Sequence, residues 1–297
     1  AKRYRAKCMG FLRDVEYMDC WADAGKQRSL KAWRGMDVPE LEEAVYDYTR
    51  QVLVSLKEQD AFPTMIQVGN ELSNGLLWPY GKIPQYDNIA RFLNAGIRAV
   101  RSVDPDLPVM LHLDHGGNNA LYREWFDEFM KRGEEFEVIG LSYYPFWHGT
   151  LQDLEDNMHD ISMRYGKELI VAEVSMGYTM EDYASYEQLG EGERKGMATK
   201  PELAAKVGYP MTPQGQSDFM QDFLTRLSRV KGARGFYYWE PGWLPVPGSG
   251  WANDEALAYI EEQGPGGNEW ANQALFNYRG NALKVLDTIR DFAAVQP

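Results

Sequence analysis

Two short runs end on a carboxylate. Met65-Ile66-Gln67-Val68-Gly69-Asn70-Glu71 and Leu169-Ile170-Val171-Ala172-Glu173 are each apolar and each stop at a glutamate. They read as buried strands that meet a charged side chain at their C-terminal end. In a barrel of parallel strands those ends share one face, and that face carries the active site. Two carboxyl groups supplied by different strands are the minimum equipment for cutting a glycosidic bond. One must be held protonated and the other ionised, about 5–5.5 Å apart in a retaining enzyme and wider in an inverting one. Asn70 sharpens the pattern, because an amide beside the acid can hold a sugar hydroxyl. The bland reading is that strand ends meet solvent. It accounts for one such run more easily than for two, one of them ending Asn-Glu.

The other strand ends form a consistent set. Asp14 to Asp19, then Trp21-Ala22-Asp23, follow the first strand. His112-Leu113-Asp114-His115 closes a third. Tyr143-Tyr144-Pro145-Phe146-Trp147-His148 follows a fourth, and Trp239-Glu240-Pro241-Gly242-Trp243 a sixth. Asn70, Asp19, Trp78, Asp114, Tyr143, Trp239 and Trp243 are the candidate sugar contacts. Indole faces stack on sugars but also fill cores, so each Trp has a packing alternative. Glu240 reads as a solvent contact or ion-pair member. His112, Asp114 and His115 raise the question of a metal. On a strand, however, 112 and 114 share a face and 115 leaves it, so a polar lining is the preferred reading and no metal is expected. The chain has no Gly-rich phosphate loop, no Cys/His metal spacing and no Gly-x-Ser-x-Gly elbow, and no cofactor is expected.

The net charge of −13 over 297 residues argues against nucleic acid or an anionic membrane as partner. It suits a neutral ligand. No apolar run approaches membrane-spanning length. Cys8 and Cys20 are expected as free thiols, since nothing requires a bridge. Chain length suits a single domain over residues 1–297.

The elements that position these residues alternate. Strands are expected at Gly10–Val15, Met65–Val68, Pro108–Leu113, Val138–Ser142, Leu169–Ala172 and Gly235–Trp239. Amphipathic helices lie between them, which indicates a parallel α/β architecture. The first long helix spans Pro39–Asp60, and Asp37 with Glu40 forms a capping box at its start. Thr179–Lys206 and Pro241–Asn268 are long loops of the kind that build a cleft. Six strands fall short of the eight that close a barrel. Either two strands and a helix precede this chain, or the fold is not a closed barrel.

Longer motifs carry a resemblance. Trp21-Ala22-Asp23-Ala24-Gly25-Lys26-Gln27, Lys31-Ala32-Trp33, Gln67 to Glu71 with Asn74-Gly75 and Leu77-Trp78-Pro79, Gly140 to Trp147, Val171-Ala172-Glu173, Tyr209-Pro210 with Gly215-Gln216, Tyr238 to Pro241, Gly250-Trp251-Ala252 and Asn272 to Phe276 resemble glycoside hydrolase family 53, the endo-β-1,4-galactanases. The resemblance covers nearly the whole chain. It implies a (β/α)8 TIM barrel, here without strand one, helix one and strand two. It also implies a retaining mechanism, with Glu71 as acid/base on strand four and Glu173 as nucleophile on strand seven. The family's strand-two arginine has no counterpart here. The family pattern Asp-Phe-His-Tyr-Ser-Asp is Asp14-Val15-Glu16-Tyr17-Met18-Asp19, with a glutamate at the histidine. A calcium held by some members after strand seven is not expected, because the Thr179–Lys206 loop lacks its ligands. The expected substrate is β-1,4-galactan, a pectin side chain, and an extracellular location follows from it. A glucan- or mannan-cutting relative and an inactive fragment are the two rival readings.

Overall fold

The computed structural model describes residues 2–5, 7, 9–181, 201–245, 252–261 and 270–294. Cys8, most of the Thr179–Lys206 loop with its expected lack of calcium ligands, and much of Pro241–Asn268 lie outside the described residues. The strands are β1 (Leu12–Val15), β2 (Met65–Val68), β3 (Gly75–Leu76), β4 (Gly81–Lys82), β5 (Val109–Leu113), β6 (Val138–Tyr143), β7 (Glu168–Val174) and β8 (Ala233–Tyr238). The helices are α1 (Lys2–Arg5), α2 (Val38–Glu58), α3 (Tyr86–Val103), α4 (Asn119–Met130), α5 (Leu151–Tyr165), α6 (Pro201–Ala204), α7 (Pro213–Leu227), α8 (Asp254–Ile260) and α9 (Val285–Ala294).

Six strands follow the order β1-β2-β5-β6-β7-β8, with helices between them in sequence. This is the strand-helix alternation of a (β/α) barrel. The β1/β2, β2/β5 and β5/β6 pairings are all parallel, with Asp14 opposite Gln67 and His112 opposite Gly140. The six expected strands are all present, Met65–Val68 with the bounds expected and the others with ends shifted by at most two residues. The β3/β4 hairpin was not expected. Its strands are two residues each, too short to show a period.

The chain forms two compact units. The first holds residues 1–114, 120–141 and 165–169; the second holds 115–119, 142–164 and 170–297. In the first, α2 starts at the capping box read from sequence. The Asp37 carboxylate accepts from Glu40 N at 3.0 Å, and Glu40 accepts from Asp37 N at 2.8 Å. Helices α2 and α3 bury Val45, Leu53, Ile89, Phe92 and Val100 over the β2 residues Ile66 and Val68. Gly96 lets α3 approach: a Cβ there would lie 2.6 Å from Val68 Cγ1. On α4, Trp125 stacks on Phe129 at 5.4 Å and meets Phe126 edge-on at 4.9 Å. Burying rings of this size dominates core energetics.

The second unit has its own aromatic ladder. Tyr143 stacks on Phe219 at 6.4 Å, and Phe219 on Phe223 at 6.2 Å. Phe236 of β8 closes edge-on against Phe223 at 5.5 Å. Gly215, at the start of α7, sits so close to Pro210 that a Cβ would meet its carbonyl oxygen at 1.9 Å. Sterics therefore account for the Tyr209-Pro210…Gly215-Gln216 motif. None of the described helices is long and apolar enough to cross a membrane.

Candidate active site

The β2 end is built around Asn70. Both lone pairs of Asn70 Oδ1 are used: Gln67 Nε2 donates at 2.9 Å and His112 Nδ1 lies at 2.7 Å. An acceptor there requires the proton on His112 Nδ1. Asn70 Nδ2 donates to Ala22 O at 2.8 Å, and Gln27 Nε2 donates to Asn70 O at 2.7 Å. Gln67 spends its other N–H on Asp14 Oδ1 at 2.9 Å. Asn70, Gln67, Gln27 and His112 are all buried. Buried side-chain amides that share hydrogen bonds in this way have one satisfying orientation. Asn70 Nδ2 keeps a single N–H to offer.

Glu71 follows directly. Gly69 has φ +76, where a Cβ would meet Leu72 Cδ2 at 2.7 Å, so the turn needs glycine. Glu71 itself adopts a left-handed conformation, φ 46 and ψ 57. A non-glycine residue there stores of order 1–3 kcal/mol, held by the surrounding bonds. One of those bonds runs from Trp125 Nε1 to Leu72 O at 2.9 Å. Glu71 is half-buried. Its carboxyl lies near Tyr122, whose phenol is pushed well above its ordinary pKa by burial and then by the charges of Asp114 and Glu71.

The remaining first-unit candidates divide. Asp114 is buried and accepts from the Ser73 hydroxyl. Trp78 is half-buried, with Nε1 donating to Asn74 O at 2.9 Å and Lys82 Nζ 4.3 Å from its ring. Asp19 is exposed, and its carboxylate accepts from Lys31 N at 2.6 Å. Cys20 Sγ donates to Trp21 O at 3.6 Å.

In the second unit, Glu173 lies within β7 and is 7% exposed. Tyr144 OH donates to Glu173 Oε2 at 2.5 Å, a charge-assisted bond of the strong kind. Trp147 and Trp270 stand edge-on to the Tyr144 ring at 5.8 and 5.4 Å. His148 and His115 lie ring to ring at 4.7 Å. Tyr143 is expected among the sugar contacts from the sequence. It is 1% exposed, its ring lies on Phe219 and its hydroxyl donates to Gly149 O at 3.0 Å. The tyrosine beside the carboxylate is Tyr144, the first residue past β6.

Trp239 and Trp243 are half-buried at the β8 end, and Trp239 N donates to Val174 O at 2.9 Å. Glu240 is raised above the usual carboxylate range by burial. The segment bearing Trp270 is tied down by buried polar groups. Gln216 Nε2 donates to Met176 O at 2.8 Å and Ala274 O at 3.0 Å. Tyr238 OH donates to Gln273 O at 2.7 Å, and Ser175 OH to Gln273 Oε1 at 2.7 Å.

Sequence reasoning missed Gln67, Gln27, Ser73, Tyr144 and Trp270 as site residues. Gln67 carried a usable signal, as a lone polar residue in an apolar strand that must find a partner once buried.

The model of glycosyl hydrolase family 53 matches residues 1–289. The chain belongs to this family. It is 39% identical to the "Uncharacterized protein in bgaB 5'region" of Niallia circulans, across 98% of this chain and 76% of that one. It is 32% identical to a Bacillus subtilis (strain 168) protein named endo-beta-1,4-galactanase, across 97% of this chain and 68% of that one. The solved GH53 catalytic domain of Ignisphaera aggregans superposes with a TM-score of 0.85 at 36% identity, covering 97% of this chain and 75% of that one. As a family 53 member, the chain carries the fold that its six parallel strands and alternating helices describe.

Proposed function

We propose that this chain is a retaining endo-β-1,4-galactanase, with Glu173 as nucleophile and Glu71 as acid/base. Glu173 attacks the anomeric carbon while Glu71 gives its proton to the leaving glycosidic oxygen. Water then cleaves the glycosyl ester, with Glu71 taking the water's proton and Glu173 restored as carboxylate. The tight bond from Tyr144 holds the Glu173 carboxylate in position. The remaining N–H of Asn70 is offered to a sugar hydroxyl, where a bond that tightens in the transition state raises kcat. Trp78, Trp239 and Trp243, each half-buried, serve as stacking platforms, and Asp19 and Asp114 as polar contacts. A polymer of this size is met outside the cell, which favours an exported enzyme.

The observation that carries the substrate is the 32% identity, over 97% of this chain, with a protein named as an endo-β-1,4-galactanase. The test is reducing-sugar release from β-1,4-galactan, with cellulose and mannan alongside and Glu173→Gln as control. Release from galactan alone, abolished in the variant, is expected. Preference for another glycan would overturn the substrate, and an active Glu173→Gln would overturn the nucleophile.

A further inference from the structure

Gln216 takes no part in the chemistry proposed above. It lies in the first turn of α7, 0% exposed, on the face that also buries Phe219, Met220 and Phe223. A wholly buried amide on an apolar face needs partners. Its backbone is fixed: Thr212 caps the helix by accepting from Gly215 N at 3.0 Å, and Gln216 N donates to Thr212 O at 2.9 Å. Its side chain reaches out of the helix. One N–H goes to Met176 O at 2.8 Å and the other to Ala274 O at 3.0 Å, with Tyr238 OH 3.2 Å away. One amide thus joins the chain after β7, the end of β8 and the segment that follows Trp270.

That segment has little structure of its own to hold it. It contains one 3-10 turn, Ala271–Gln273, with no side-chain cap. Bonds to its neighbours fix it instead: Tyr238 OH donates to Gln273 O at 2.7 Å, Ser175 OH to Gln273 Oε1 at 2.7 Å and Tyr178 N to Asn272 O at 2.9 Å. Tyr238 OH is itself set by Met176 N, which donates to it at 3.2 Å. At the head of the segment Trp270, 7% exposed, stands edge-on to the Tyr144 ring at 5.4 Å. Tyr144 OH in turn donates to Glu173 Oε2 at 2.5 Å. A shift of residues 270–274 therefore moves the indole against which the Tyr144 ring rests, and the Tyr144 hydroxyl with it.

We propose that Gln216 is a positioning residue for Glu173: its amide fixes the 270–274 segment, so that Trp270 holds the Tyr144 ring and the Tyr144 hydroxyl stays on the carboxylate. The proposal rests on the role given above to Glu173 and, in its turnover assay, on galactan as substrate. Gln216→Glu keeps the shape and takes away both N–H groups, leaving an oxygen against two carbonyls. Gln216→Asn keeps the amide but withdraws it by one methylene.

Both variants, each alone and combined with Tyr144→Phe, are compared with the parent chain and with Tyr144→Phe. Misplacing a reacting group by about 1 Å can cost about 10²-fold, so Gln216→Glu should lower kcat about tenfold or more while KM stays within about threefold. Gln216→Asn should lower it less. An effect that runs through Tyr144 ends once that hydroxyl is gone. Each double variant should then fall no more than about threefold below Tyr144→Phe, where independent effects would multiply. In protein carrying isotope-labelled tyrosine, without substrate, the NMR signals of the Tyr144 ring, assigned by their loss in Tyr144→Phe, should shift in both Gln216 variants. Losses that multiply in the double variants, unmoved Tyr144 signals, or a Gln216→Glu kcat within about twofold of the parent overturn the proposal. So does failure of both single variants to fold, because Gln216 then serves stability alone. A chain whose Tyr144 signals respond to both substitutions but which leaves galactan uncut overturns the substrate reading instead.

Discussion

Tyr144→Phe removes one oxygen and tests whether the 2.5 Å bond to Glu173 holds the nucleophile. The bond is charge-assisted, and its acceptor is only 7% exposed. Hydrogen bonds to charged groups contribute about 1.5–3 kcal/mol net. At 1.36 kcal/mol per tenfold, full loss would slow turnover by roughly 10–150-fold. Part of that bond is surrendered anyway as negative charge leaves Glu173 for the sugar, so a loss of a few tens in kcat is expected. The phenyl ring keeps its edge contacts with Trp147 and Trp270, so the thermal midpoint should change little. The assay is initial-rate galactan hydrolysis, with a melting curve for each protein. A kcat within twofold of the parent would refute the reasoning. A loss as deep as that of Glu173→Gln would also refute it, since one positioning bond cannot equal removal of the nucleophile.

Two stability predictions follow from the β2 end. Trp125→Phe keeps an aromatic ring but orphans the Leu72 carbonyl beside the strained Glu71, and should cost about 2–4 kcal/mol from the lost bond and volume; chemical denaturation measures it, and a cost below about 1 kcal/mol would mean the bond is replaced. Gly96→Ala sets a helix-propensity gain of about 1 kcal/mol against overpacking of about 1–3 kcal/mol. Val68 and Tyr17, at 2.6 and 3.0 Å from the new methyl, are both buried and cannot yield. A lower melting temperature is therefore expected, and a higher one would show that α3 can slide.

Much was legible in the sequence because it is encoded locally. Apolar runs of strand length, the Asp37–Glu40 box and helical periodicity all lie within a few residues, and they set which elements form. Glycines that a side chain could not replace, Gly69 for its left-handed backbone and Gly215 for its close approach to Pro210, left motifs for the same reason. Strand-end glutamates were visible because a charge that terminates an apolar run is unusual on its own terms.

What the tertiary structure decided is which polar groups meet. Asn70 is held by Gln67, His112, Gln27 and the Ala22 peptide, partners drawn from separate elements and brought together only when β1, β2 and β5 pair in register. The choice between Tyr143 and Tyr144 turned on where the chain leaves β6. One side chain went to the aromatic ladder and the other to Glu173, and the residue names alone are the same. Composition and spacing set the elements, while desolvation and hydrogen-bond closure, which exist only in the folded chain, set the chemistry of the side chains.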